Sequence, residues 1–146
     1  MSDFLEYLSS DELEGRETGT KGIEKAAVFL EDFFKKNNVK PYFSSYRDTL
    51  TNFKSPAYNI VGVLEGTDPV LKKEFMVLSA HYDHIGLEKK QQDDVINNGA
   101  NDDASGVTAV AQMAKYFSET KSNKRSILFV FFAGEEKGLL GSKSLV

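Results

Sequence analysis

Between Arg125 and Gly134 the chain reads Ser126-Ile127-Leu128-Phe129-Val130-Phe131-Phe132-Ala133, and from 127 to 133 no side chain is polar. That run is too short for an ordinary helix, and its aromatic and β-branched residues favour an extended strand. A strand that is apolar at every position has two faces to hide, so it belongs in the middle of a sheet buried on both faces. The chain has 146 residues, 40% of them hydrophobic and 27% charged. This is an ordinary globular balance, long enough for one domain with a core and too short for two comfortable ones.

The rest of the chain supplies what such a strand needs. Ser2 or Asp3 can cap a short helix through about Ser9, with Phe4, Leu5 and Leu8 on one face. Ser9-Ser10-Asp11-Glu12 has the S-x-x-E form that opens a second helical turn, and Gly15-Arg16-Glu17-Thr18-Gly19 breaks it. On charge alone, Arg16 and Glu17 read as a solvated loop. From 21 to 37, Ile23, Ala26, Ala27, Leu30, Phe33 and Phe34 recur at three- and four-residue spacing, the pattern of an amphipathic helix lying on a sheet. Tyr42, Phe43, Tyr46 and Phe53 alternate with polar residues, which suggests strands with one wet face. Residues 59–64 and 74–80 are strand-like, and the turn signals Gly66, Asp68 and Pro69 between them predict antiparallel neighbours.

Residues 86–99 form a long polar stretch, read as a surface loop ending in a turn at Asn97-Asn98-Gly99. Asp103 can cap a further helix whose stripe is Val107, Val110, Ala111, Ala114 and Phe117. Leu139 and Leu140 begin one more helical pattern. A strand–helix–strand crossover from the strand before His81 to the strand before Glu135 implies a parallel pair joined in the right-handed sense. The overall pattern is α/β, a three-layer helix-sheet-helix sandwich with a mixed, mostly parallel sheet.

Composition removes several functions. The net charge of -4 leaves no basic footprint for nucleic acid. With no cysteine, disulfides and thiolate metal sites are excluded, while the compartment stays open. No apolar run approaches the ~18 residues of a membrane span. The opening Met1-Ser2-Asp3-Phe4-Leu5-Glu6 has no basic and apolar signal-peptide pattern; either the protein is cytoplasmic or a signal has been removed.

Three clusters remain: Ser79-Ala80-His81-Tyr82-Asp83-His84, Asn101-Asp102-Asp103 and Gly134-Glu135-Glu136. Each lies at an element end, and the crossover puts His81 and Glu135 on the carboxyl edge of the sheet, where open α/β sheets bind ligands. Imidazole and carboxylate are ligands for zinc or a similar cation. Two histidines and no H-E-x-x-H motif exclude a three-histidine site and the one-helix metalloprotease site. Carboxylates must therefore carry most of the load, which favours a pair of ions ~3.5–4 Å apart sharing one carboxylate. His81 is the natural imidazole ligand. Asp83, two residues on, would accept the other ring N–H, and Asp102 is placed to bridge. Glu135 and Glu136 repel each other without a cation, so one can bind metal while the other takes a proton from water. Each cluster also has a plain alternative: His84 as a surface or core histidine, Asp102-Asp103 as a helix cap, Glu135-Glu136 as a solvated turn.

His81-Tyr82-Asp83-His84-Ile85-Gly86, Asn98-Gly99-Ala100-Asn101-Asp102-Asp103-Ala104-Ser105-Gly106 and Phe132-Ala133-Gly134-Glu135-Glu136-Lys137-Gly138-Leu139-Leu140-Gly141-Ser142 resemble the three consecutive motifs of M28-family zinc aminopeptidases. Ser10-Asp11-Glu12-Leu13-Glu14-Gly15-Arg16-Glu17-Thr18-Gly19 resembles the segment that opens many bacterial members, which implies specific packing of 14–19 instead of a free loop. The resemblance implies a zinc-peptidase-like fold over residues 1–146, the N-terminal part of a single peptidase catalytic domain. It makes His81 a ligand of the first zinc, Asp102 the bridge, Glu136 a ligand of the second zinc, Glu135 the general base and Asp83 the residue that orients His81. The implied substrate is a peptide with a free N-terminus, and the implied compartment is secreted or periplasmic.

Family members also carry a further aspartate ligand and a further histidine ligand downstream of these motifs. The expectation is therefore a truncated, inactive chain with doubtful zinc occupancy, prone to self-association or to association with a missing C-terminal part. Zinc, cobalt and manganese all suit the ligand types. Two other readings stand beside this one. The first is another metal-dependent amidohydrolase, deacylase, carboxypeptidase or glutaminyl cyclase on the same scaffold. The second is a non-catalytic binding module.

Overall fold

The computed structural model describes residues 2–88 and 94–146. Among the described residues, four α-helices and five strands form in the order α1 (Ser2–Leu8), α2 (Lys21–Lys36), β1 (Lys40–Pro41), β2 (Arg47–Thr49), β3 (Tyr58–Leu64), β4 (Phe75–His81), α3 (Ser105–Thr120), β5 (Ser126–Phe132) and α4 (Leu140–Leu145). A 3-10 segment, Asp11–Arg16, links α1 to α2.

The apolar run becomes β5, buried at its first six positions. It lies between β3 and β4 in a sheet ordered β1-β3-β5-β4, with β2 also paired to β3. Residues 59–64 and 74–80 are thus not neighbours as expected; β5 separates them, antiparallel to β3 and parallel to β4. Apolar at every position after Ser126, β5 has two faces and two edges to protect, and the central position satisfies all four. The sheet is mixed but not mostly parallel. Only β4 and β5 run parallel, because only they are joined by a helical crossover, whereas β1 and β2 pair antiparallel with β3.

The layers also differ from the expected sandwich. Ile60, Phe129 and Phe131 point into one core with Phe4 and Leu8 of α1, Ile23, Leu30 and Phe34 of α2, and Val107, Ala111 and Ala114 of α3. Phe34 stacks on Phe131 with ring centroids 5.3 Å apart. Burying such a ring contributes about 1.5–3 kcal/mol. The opposite face, Val61, Leu128 and Val130, meets Leu145 of α4 alone among the helices. The described residues therefore make two full layers and the beginning of a third. The stripe along α3 faces the core as its spacing predicts, and Lys121 ends that helix in the left-handed region.

In the stretch 86–99, Glu88 N–H donates to the Val95 carbonyl at 2.7 Å and Leu87 bridges Ile96, so its ends are paired backbone. The middle of that expected loop, 89–93, lies outside the described residues.

Candidate metal centre

The parallel pair sets the stage. His81, the last residue of β4, is in register with Phe132, the last of β5, so the chain leaves both strands at one edge. Beyond β5 come Gly134, in the left-handed region, and then Glu135 and Glu136. The second cluster arrives through a wide helical turn, Ala100–Ala104, that opens α3. The peptide between Asp102 and Asp103 is cis. Asp103 does the capping foreseen for it: its carboxylate accepts the Gly106 N–H at 3.1 Å and the His81 N–H at 3.3 Å, joining the start of α3 to the end of β4. Asp102 is left pointing outward, its side chain 62% exposed, with Oδ1 3.0 Å from His81 Nε2.

His81 Nδ1 lies 3.1 Å from the Asp83 carbonyl oxygen and 3.7 Å from Asp83 Oδ1. The hydrogen bond is to the carbonyl, and the carboxylate acts mainly as a nearby charge. Asp83 pushes the His81 pKa up to about 9, against the opposing pull of burial. The Asp83 carboxylate, wholly buried, has other partners. Oδ1 accepts the Glu135 N–H at 3.1 Å, and Oδ2 accepts the Glu136 N–H at 3.3 Å and the Thr18 hydroxyl at 3.0 Å. Thr18 Oγ1 in turn accepts the Gly134 N–H at 3.1 Å. One buried carboxylate thus fixes the turn that carries both glutamates.

Arg16 is 1% exposed, which corrects its reading as a solvated side chain. Its guanidinium donates to the carbonyls of Tyr82 at 2.9 Å, Asn98 at 2.7 Å and Gly99 at 2.9 Å, and to that of Leu8. Burial lowers its pKa, while Asp83, Asp102 and Asp103 raise it. A planar fork with five donors suits this task, since it can hold several carbonyls at once. Arg16 and Thr18 thereby tie all three clusters to the N-terminal segment, and Lys137 adds a 2.7 Å ion pair to Glu17 at the rim. Composition marks neither residue; the packing of 14–19 implied by the resemblance was the available signal.

His84 lies at the same edge. Its Nδ1 lies 2.9 Å from Glu136 Oε1, and donor atoms of His84, Asp102 and Glu136 all fall within 4.8 Å of one another. Counting along an extended chain puts His84 on the face opposite His81. The strand stops at His81, however, and His84 pairs instead with Glu17. The structure thus brings His81 to Asp102, and Asp102 to Glu136 and His84. Glu135 stands beside them, lining a cleft of about 280 Å³ with Ser79, His81, Asp103, Leu139 and Ser142. A larger cleft of about 420 Å³, by Asn38, Glu65 and Asn123, contains no histidine or aspartate. A still larger cleft of about 560 Å³, by Phe4, Phe29, Asp32 and Lys115, contains no histidine either.

Residues 59–146 match the family described as Peptidase family M28. A "Probable zinc metalloprotease" of Pyricularia oryzae is 40% identical over 90 residues, covering 58% of this chain and 16% of that protein. "Aminopeptidase YwaD" of Bacillus subtilis is 32% identical over 88 residues, covering 60% of this chain and 17% of the relative. The crystal structure of the Legionella pneumophila LapA aminopeptidase superposes with a TM-score of 0.73 at 26% identity, over 99% of this chain and 35% of that one. The chain therefore spans about a sixth of these two relatives and about a third of the solved enzyme. With its mixed sheet, its three clusters on one edge and a family match across β4, β5 and all three clusters, the chain belongs to peptidase family M28.

Proposed function

We propose that this chain carries the metal-binding and proton-transfer residues of a metal-dependent aminopeptidase, which cleaves the first peptide bond of a substrate with a free N-terminus. The convergence of His81, Asp102 and Glu136 at the carboxyl edge of β4 and β5 is the observation that supports it. The donor set fits a pair of divalent ions. The Asp83 carbonyl occupies Nδ1 of His81 and leaves Nε2 facing Asp102. Asp102 lies within reach of both His81 and Glu136, which would let its carboxylate bridge two ions. Zinc is the ion named for relatives, and cobalt or manganese suits the same donors. Bound there, the ions would supply Lewis acidity to polarise the scissile carbonyl and acidify water.

The protein groups do the rest. Glu135, its backbone held by Asp83 and its side chain at the cleft, takes a proton from the attacking water onto its carboxylate and delivers it to the departing amine. Asp83 holds His81 and the glutamate turn in one frame. Leu139 and Ser142 line the same cleft. His81, Asp102 and Glu136 are too few donors to complete two coordination spheres, so the reading requires further ligands. The 146 residues alone are expected to bind metal weakly and to turn over no substrate.

The test pairs zinc titration of these residues with hydrolysis of aminoacyl and N-acetylated aminoacyl anilides by a longer protein that also carries the further ligands. Binding lost in Asp102→Ala and retained in Glu135→Ala is expected. Equal cleavage of blocked and free substrates would remove the aminopeptidase reading in favour of another amidohydrolase. Turnover by these residues alone would refute the donor-count argument.

A further inference from the structure

We propose that His84 is a positioning residue for Glu136: its Nδ1–H donates to Oε1 and fixes that carboxylate, leaving the other oxygen for a cation. The proposal rests on the two-ion reading above and extends it to a residue outside the ligand set. Its geometry is that of a built contact. The two atoms are 2.9 Å apart, and the side chains are 12% and 20% exposed. The His84 N–H donates to the Arg16 carbonyl at 3.1 Å, so the backbone carrying the ring is tied to the buried N-terminal segment. The ring lies against Gly99, where a Cβ would come within 2.6 Å of Cδ2 and 2.7 Å of Cγ. Gly99, in the left-handed region at φ 59°, both turns the chain and leaves the space that the imidazole fills.

Glu136 is thereby held at both ends, its N–H by Asp83 and its carboxylate by His84. A free glutamate would lose up to about 2 kcal/mol of rotamer entropy on binding an ion, and a side chain already pinned has less to lose. Outer partners of this kind typically change metal affinity by about 10- to 100-fold. The contact also explains how two adjacent glutamates can differ in task. Glu136 faces a ring donor, while Glu135 lines the cleft.

Two measurements on the full chain test it. In metal-free, 15N-labelled protein at pH 8, long-range 1H–15N correlation should show the His84 proton on Nδ1; a ring protonated on Nε2 alone overturns the proposal. In zinc competition against a chromophoric chelator, His84→Ala and His84→Gln should weaken binding about 10- to 100-fold. His84→Asn, whose amide reaches the Nδ1 position, should restore most of it, with unfolding midpoints unchanged. Unaltered affinity in His84→Ala overturns the proposal. So does a His84→Asn as poor as His84→Ala accompanied by a changed Co2+ visible spectrum, which would mark His84 as a direct ligand. If no variant and no wild-type protein binds metal, the expectation of weak binding by these residues fails, and the His84–Glu136 contact is decided by the tautomer alone.

Discussion

A carboxylate buried as deeply as that of Asp83 survives chiefly by accepting hydrogen bonds, and Asp83 accepts three. Thr18 is the partner whose contribution is easiest to isolate. Thr18→Val keeps the shape, removes a donor from Asp83 and strands the buried Gly134 N–H, so it should cost about 1–3 kcal/mol. Thr18→Ser keeps the hydroxyl and should cost well under half of that; urea midpoints of the pair measure the difference. His81 offers a second test. Its pKa is 6.5 in an unstructured chain and about 9 here, raised chiefly by Asp83. A group raised on folding stabilises the fold fully below its unfolded pKa, and that contribution is lost as pH climbs through the folded one. Metal-free protein should therefore lose roughly 1–2 kcal/mol of stability between about pH 6.5 and pH 9, with solvent access to the ring included. Denaturation in chelator at both ends of that window checks the slope, which His81→Gln should flatten.

At the scale of elements, the N-terminal segment acts as a clasp. The Arg16 carbonyl accepts the His84 N–H and that of Gly15 the Gly86 N–H, while the guanidinium gathers carbonyls from α1, from the end of β4 and from the turn before α3. Arg16→Met would leave these acceptors buried without a donor and should cost roughly 3–4 kcal/mol. The damage should be local as well as global. Amide hydrogen exchange should quicken at 82–86 and 98–104 before it does in β3 and β5, since those two strands keep their ladder. Arg16→Lys should recover only part of the loss, because one ammonium cannot serve the same spread of carbonyls. The crossover β4–α3–β5 provides the other half of the frame, with Asp103 joining its first strand to its helix.

For the molecule as a whole, the consequential feature is β4. It is an edge strand, and Phe75, Met76 and Val77 are each about half exposed. An apolar edge with unpaired backbone groups is a template for another strand. The 146-residue chain is expected to associate at high concentration. Val77→Lys should raise the monomer fraction in sedimentation velocity while changing stability by less than about 0.5 kcal/mol. Persistence of the same association in that variant would place the contact elsewhere. No described helix is long and apolar enough to cross a membrane.

The sequence alone determined the long periodic elements, because apolar spacing is a local property: β5, α2 and α3 were legible from their periodicity, whereas Tyr42, Phe43, Tyr46 and Phe53, read as strand, lie outside β1 and β2. It also determined that β4, α3 and β5 form a parallel crossover, and with it the edge on which His81 and Glu135 emerge. What required the tertiary structure was whatever depends on partners distant in sequence. Strand order was one such feature, since a turn signal between residues 64 and 74 does not show that β5 inserts between β3 and β4. The burial of Arg16 was another, because its acceptors lie up to 83 residues away. His84 was the third: its direction depends on where β4 stops pleating and on a segment near residue 16 that pairs with it. Periodicity is written along the chain, whereas hydrogen-bond partners are chosen in space.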